Sequence, residues 1–349
     1  MSVSPVDWDL AVRTARRLAP PGPQVSRADA VSAVDELRML AVRAEEHVRS
    51  VTALIPPGEP QEATVVDRGG WAAANVDGFK VVIEPLAEKL LLKNSNTLAL
   101  AAASRLTGIQ MGTLLAWLSS KVLGQYEVFL PEEGTGRLVL VAPNIVETER
   151  RLGVDPTDFR MWVALHEVTH RTQFTAVPWL HAHVRSEVRE LLEASALDDP
   201  SQLVSRLKDA ITQLPRGGSI VELLQTPEQR VVLDRVTAFM SLLEGHAEHV
   251  MDGVGPSVVP TVATIRARFD QRRKEGAGLV DRILRRLLGL DLKALQYAEG
   301  KVFVDTVVRE VGMAGFNRVW ESPATLPTRQ EIREPQTWVR RIHGTTAIA

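Results

Sequence analysis

The sequence predicts a mainly helical α+β chain in which a small β element precedes a deeply buried helix. Three observations carry that prediction. Apolar residues recur at helical spacing over most of the length. One pair of short runs, Tyr126–Leu130 and Arg137–Val141, alternates or runs apolar around Glu132-Glu133-Gly134-Thr135-Gly136, which is a hairpin signal. The helix expected after Asp155-Pro156 is apolar most of the way round, as buried helices are.

Taken in order, residues 5–54 hold two helical patterns separated by Pro20-Pro21-Gly22-Pro23. A loop at Pro56 to Pro60 leads to a helix from about Gly70 to Leu92, then another from about Asn96 to Leu123. The second is strongly apolar, but Arg105 and Gln110 interrupt it, so a buried helix is expected rather than a membrane span. Gly108 and Gly112 would let a neighbouring helix approach closely. After the hairpin, Asp155-Pro156-Thr157-Asp158 starts a helix, with Pro156 in the first turn and acids at the positive end of the dipole. Pro178-Trp179 and the following His181 and His183 read as a loop before a helix from about Ser186 to Ala196. A longer helix runs from about Pro227 to Asp252, opened by a capping box (Thr226, Gln229) and stopped by Gly253. Residues 260–290 form an amphipathic helix with Arg266, Arg268, Arg272, Arg273, Arg282, Arg285 and Arg286 on a solvated face. Leu292 to Glu310 closes the series as another helix.

The buried helix after Asp155 carries His166-Glu167-Val168-Thr169-His170. Residues four apart share a helical face, so His166 and His170 can grip one metal ion. Glu167 then points toward the open coordination position, where a carboxylate can take a proton from an activated water. Buried histidines and a buried glutamate need partners, and a metal supplies them. A catalytic zinc takes three protein ligands and a water. With no cysteine in the chain, the donors must be nitrogen and oxygen. A continuation toward a third histidine is excluded, because Gln173 and Ala176 stand where glycine and histidine would be needed.

Leu243-Glu244-Gly245-His246-Ala247-Glu248-His249 offers a third ligand. Glu244 falls on the apolar stripe Leu233, Val236, Met240, Ala247, Met251, where an acid is costly unless neutralised. Gly245 and Ala247 leave room for a second helix. Glu187, Glu190 and Glu193 compete for the role, although with Arg185 and Arg189 they suit a solvated face. His249 is expected to turn away from the metal, and His246 to face the cleft.

HExxH followed by Glu-Gly-x-x-acid resembles the gluzincin branch of zinc metallopeptidases. The resemblance implies Glu244 as the third zinc ligand and Glu248 as the carboxylate that orients a ligand histidine. It also implies a tyrosine or histidine near the developing oxyanion, for which Tyr297 and His246 are the candidates. Trp71-Ala-Ala-Ala-Asn75, Gln173-Phe174, Pro178-Trp179-Leu180, Gln296-Tyr297 and Leu326-Pro327-Thr328 with Pro335 and Trp338 carry it further. Together they resemble a zincin-like family of metallopeptidase-type hydrolases found mainly in actinobacteria, some members being associated with deazaflavin coenzyme biosynthesis. The implied fold is zincin-like, with residues 1–125 an N-terminal helical region and 126–349 the catalytic region packed against it.

Composition fits such an enzyme. The 349 residues are 45% apolar and 24% charged, enough to bury a sizeable core. A net charge of −2 gives no pull toward nucleic acid or an anionic membrane. The absence of cysteine and of a basic, apolar leader leads to the expectation of a cytoplasmic chain. The expected activity is hydrolysis of an amide bond in a peptide or small amide, with Zn²⁺ as cofactor and Glu167 as general base. A second class remains open, in which the zinc is structural or regulatory and the protein is a binding partner. A fourth protein ligand such as His246 would mark that case.

Overall fold

The computed structural model describes residues 4–58, 62–91, 97–130, 136–195, 227–275 and 290–344. Helices α1 (Trp8–Leu18) and α2 (Arg27–Thr52) are capped by Asp7 and Ser26, whose side chains accept from Leu10 N and Asp29 N. Strand β1 (Thr64–Val66) leads into α3 (Arg68–Leu91), followed by α4 (Thr97–Leu118). Gly108 and Gly112 let α4 lie directly on α1, against the backbone of Asp7 and Ala11. The other side of α4 leaves Leu106 and Ile109 exposed, so the helix is covered on one face only among the described residues. No helix among the described residues is long and apolar enough to cross a membrane.

Strands β2 (Gly124–Glu127) and β3 (Arg137–Val141) pair antiparallel, with Gly124 opposite Leu140 and Tyr126 opposite Leu138. The strand expected over Tyr126–Leu130 therefore starts and ends earlier. The carbonyls of Val128 and Leu130 are taken by the Arg185 guanidinium instead of a neighbouring strand. The turn at 131–135 lies outside the described residues. β1 adds in parallel to the other edge of β3, giving the order β1-β3-β2. Three residues are too few to register as a periodic pattern. The sheet thus draws strands from both sides of residue 125.

β3 is covered on both faces. Val139 and Val141 join Trp8, Ala11, Trp71 and Leu115 on one side. Leu138 and Leu140 join Leu37, Leu40, Phe159, Trp162 and Leu165 on the other. Alternate residues of a strand face opposite ways, so a fully covered strand reads as the continuous apolar run Leu138 to Val141.

α5 (Ala142–Leu152) follows, then α6 (Pro156–Ala176), capped by the Asp155 side chain on Asp158 N at 3.0 Å. α6 is central, packing against α2, the sheet and α8 (Pro227–Val254). The Thr226 cap lies outside the described residues, and α8 runs one residue past Gly253 before Gly255 turns the chain at φ +69°. Between them, α7 (Leu180–Ser195) begins early enough to place His181 and His183 on a helix, not in a loop. α9 spans Val262–Glu275, and α10 spans Leu290–Phe316 with a break at Gly312 (φ 71°, ψ 172°). Arg266 on α9 is not on a solvated basic face, because it pairs with Glu248 and Asp252. Arg282, Arg285 and Arg286 lie outside the described residues. α11 (Arg329–Arg333) and α12 (Pro335–His343) close the chain. There the C-terminal motif is structural: Thr328 and Glu331 form a capping box, and Trp338 Nε1 donates to Thr325 O at 2.8 Å.

Candidate metal centre

α6 presents His166 and His170 one helical turn apart, their Nε2 atoms 3.2 Å from each other and their rings perpendicular. α8 brings Glu244 to the same point. Its Oε2 is 3.6 Å from His166 Nε2 and its Oε1 3.8 Å from His170 Nε2. These are the three side chains among the described residues that could jointly hold a metal ion. Tetrahedral zinc with bonds of about 2.0–2.1 Å spaces its donors about 3.3–3.4 Å apart. The observed spacings of 3.2, 3.6 and 3.8 Å bracket that edge length, so the cluster fits a single zinc-sized ion.

The charge balance fits as well. Glu167 is buried, its carboxyl pushed well above the usual range by burial and then by the nearby charge of Glu244. It has no hydrogen-bond donor among the described residues. Two adjacent carboxylates in a desolvated place are costly unless a cation neutralises them. Glu167 rests against β2 at Gly124, where a Cβ would stand 2.7 Å from its Cγ and 2.9 Å from its Cδ.

β2 is itself held from its other face. Trp71 Nε1 donates to Gln125 Oε1 at 3.0 Å, and Gln125 Nε2 donates to Asn75 Oδ1 at 2.7 Å. Asn75 in turn donates to the Trp71 carbonyl. The Trp71–Asn75 motif thus acts as a clamp on the strand beside the site.

α8 is fixed by α10. Gly245 and Gly300 face one another, and a methyl on either would overlap the backbone of the partner helix. The glycine after Glu244 is therefore needed for helix contact. Gln173, fully buried, connects the ligand helices: its Oε1 accepts from His170 Nδ1, and its Nε2 donates to Leu243 O, each at 3.0 Å.

Other expected residues lie elsewhere. Glu248 is engaged by Arg266 at 2.7 Å, so Gln173 takes the expected place beside His170. His246 does not face a cleft. It is fully buried behind Gln173, stacked on Phe316 with ring centroids 5.2 Å apart, and burial pulls its pKa down to about 3. The rivals Glu187 and Glu190 pair with Arg235. His249 turns away to Asp305 at 2.7 Å. Tyr297 lies on α10, but its side chain is outside the described residues. Sequence reasoning assigned no role to Gly124 or Gln173. Gln173 carried a usable signal, since it lies three residues past His170 on the same helical face. Gly124 carried none, because its role arises only when α6 and β2 meet.

With this geometry in place, comparisons with known proteins agree on its kind. Residues 6–339 match the profile of a family described as zincin-like metallopeptidase. A protein from Chloroflexus aurantiacus, whose crystal structure is described as that of "a putative hydrolase with a novel fold", is 32% identical. The alignment covers 97% of this chain and 99% of that one, with a TM-score of 0.72. No curated protein matches the chain. Both matches point to a hydrolase-type protein.

Proposed function

The chain belongs to the zincin-like metallopeptidase family, and from that premise we propose that it is a zinc-dependent hydrolase that cleaves an amide bond, foremost in a peptide. The observation that carries this reading is the convergence of His166 Nε2, His170 Nε2 and a Glu244 carboxylate oxygen within 3.2–3.8 Å of one another. These three residues would hold the zinc. When bound, zinc supplies polarisation of the scissile carbonyl and a water of lowered pKa.

The chain's own residues supply the rest. Glu167, adjacent to the ligands and shielded from solvent, accepts the proton of the attacking water and returns it to the leaving amine. The edge of β2 left unpaired among the described residues, opposite the one paired with β3, is where an extended peptide would add as a further strand. The alternative, a closed non-catalytic zinc site, would call on His246 as a fourth ligand. His246 instead turns its Nδ1 to Gln173 and stacks its ring on Phe316, which favours the catalytic reading.

The test is the metal content of wild type and Glu244→Ala, followed by turnover of a quenched-fluorescent peptide library. About one zinc per chain, lost in the variant, together with cleavage of some library members, is expected. A wild type that takes up no zinc when supplied with it would overturn the proposal.

A further inference from the structure

Gln173 lies between the two helices that carry the candidate ligands, and its orientation is dictated by a group that cannot adapt. The Leu243 carbonyl only accepts, so the amide nitrogen of Gln173 must face it. The second N–H of that nitrogen goes to His246 Nδ1 at 3.0 Å. The amide oxygen is thereby turned to His170 Nδ1. An oxygen there also only accepts, so His170 carries a proton on Nδ1, which leaves Nε2 for the point where it converges with His166 and Glu244.

We propose that Gln173 is a positioning residue of the zinc site, fixing the tautomer and ring orientation of His170 and tying it to the backbone immediately before Glu244. The inference rests on reading His166, His170 and Glu244 as zinc ligands. An amide suits this place better than the carboxylate often found behind a ligand imidazole. Glu167 and Glu244 already put two acids here, and a third charge would add repulsion in a desolvated site. An amide also offers the donors that the Leu243 carbonyl and His246 require.

The test compares wild type, Gln173→Leu and Gln173→Glu. Zinc affinity is measured by competition with a chromophoric chelator, and ligand geometry from the visible absorption of the cobalt(II)-loaded proteins. Circular dichroism of the metal-free forms checks folding. Gln173→Leu keeps the volume and loses every hydrogen bond, so its zinc affinity should fall about 10–100-fold with an altered cobalt spectrum. Gln173→Glu keeps the acceptor toward His170 and, as the neutral acid, a donor toward Leu243. Its affinity should stay within about fivefold of wild type, with the wild-type spectrum.

Gln173→Leu binding zinc like wild type with an unchanged spectrum would overturn the proposal. So would Gln173→Glu as weak as Gln173→Leu, because the loss would then come from packing and not from the acceptor. Should Gln173→Leu fail to fold, Gln173→Glu decides alone: near-wild-type affinity and spectrum support the proposal, and a loss of about tenfold or more refutes it. A wild type that binds no zinc is seen in the reference arm and removes the functional reading itself.

Discussion

Gly124 leaves open the volume that the side chain of Glu167 occupies. A methyl at Gly124 would lie 2.7 Å from Cγ and 2.9 Å from Cδ of that glutamate, closer than real Cβ contacts come. The group forced to move is the end of a side chain and not backbone, so Gly124→Ala should fold. What moves is the proposed general base. A displacement on the order of 1 Å at a reacting group costs about 10²-fold in rate. Gly124→Ala should therefore retain zinc and lose about two orders of magnitude in kcat on a cleaved peptide, read by steady-state kinetics beside metal analysis. Full activity would mean that Glu167 does not act from its position against β2.

Replacing Glu167 itself separates chemistry from binding. Gln has the same shape but cannot take a proton. Glu167→Gln should keep stoichiometric zinc and lower kcat by about 10²–10⁴-fold, the usual contribution of a positioned general base. Turnover near the wild-type rate would move the base elsewhere.

How much of this could be read in the sequence depends on whether the signal is local. His166, Glu167 and His170 share one helix, so their spacing alone placed them together. Glu244 required an acid on an apolar stripe together with the resemblance to the gluzincin pattern, and α8 delivers it to that place. Gln173 follows the same helical rule and was readable on that ground. Glu248 was not: its spacing from Glu244 fits a ligand-orienting role, but Arg266, arriving on α9, takes the carboxylate. His246 fails for a similar reason, since the aromatic wall of Phe316 and Trp320 that encloses it comes from far along the chain. β1 was invisible because three residues show no periodicity, and its strand exists only because β3 offers an edge.

Zinc should stabilise the fold measurably. A ligand that binds only the native state adds about 4 kcal/mol at a free concentration a thousandfold above its Kd. Thermal unfolding in chelator and in excess zinc should differ accordingly for wild type. Glu244→Ala should show little of that difference. An equal gain in both would remove Glu244 from the ligand set.

His181 gives the metal-free protein a pH dependence. It is buried on α7 beside Tyr126 and Phe174, and burial lowers its pKa below the ordinary 6.5, with Val128 offsetting part of the effect. The folded state thus resists protonation more than the unfolded chain does. Stability from this residue is fully present above pH 6.5 and is lost as pH falls below it toward the folded pKa. Denaturant unfolding in chelator at pH 7.5 and 5.5 should show the loss, and His181→Phe should reduce it. A variant with the wild-type pH slope would assign the effect to other groups.

The crossing of α8 and α10 makes the strictest demand on sequence near the site. Gly245 on one helix and Gly300 on the other bring the two backbones into contact, and a Cβ at Gly245 would overlap the Gly300 carbonyl carbon. No rotamer change relieves such a clash, because both partners are main chain, so the helices must separate. Overpacking of this kind costs about 1–3 kcal/mol, with a backbone shift placing it toward the upper end. The separation also reaches the site, because Glu244 immediately precedes Gly245. Gly245→Ala should therefore lower both the thermal midpoint of the metal-free protein and its zinc affinity. Val302→Ala on α10 changes a side chain that is 60% exposed, and should alter neither. Calorimetry with zinc titration of the two variants checks the pair of effects. Loss of stability with unchanged zinc affinity would show that Glu244 keeps its place when the crossing opens, making the glycine a packing residue only.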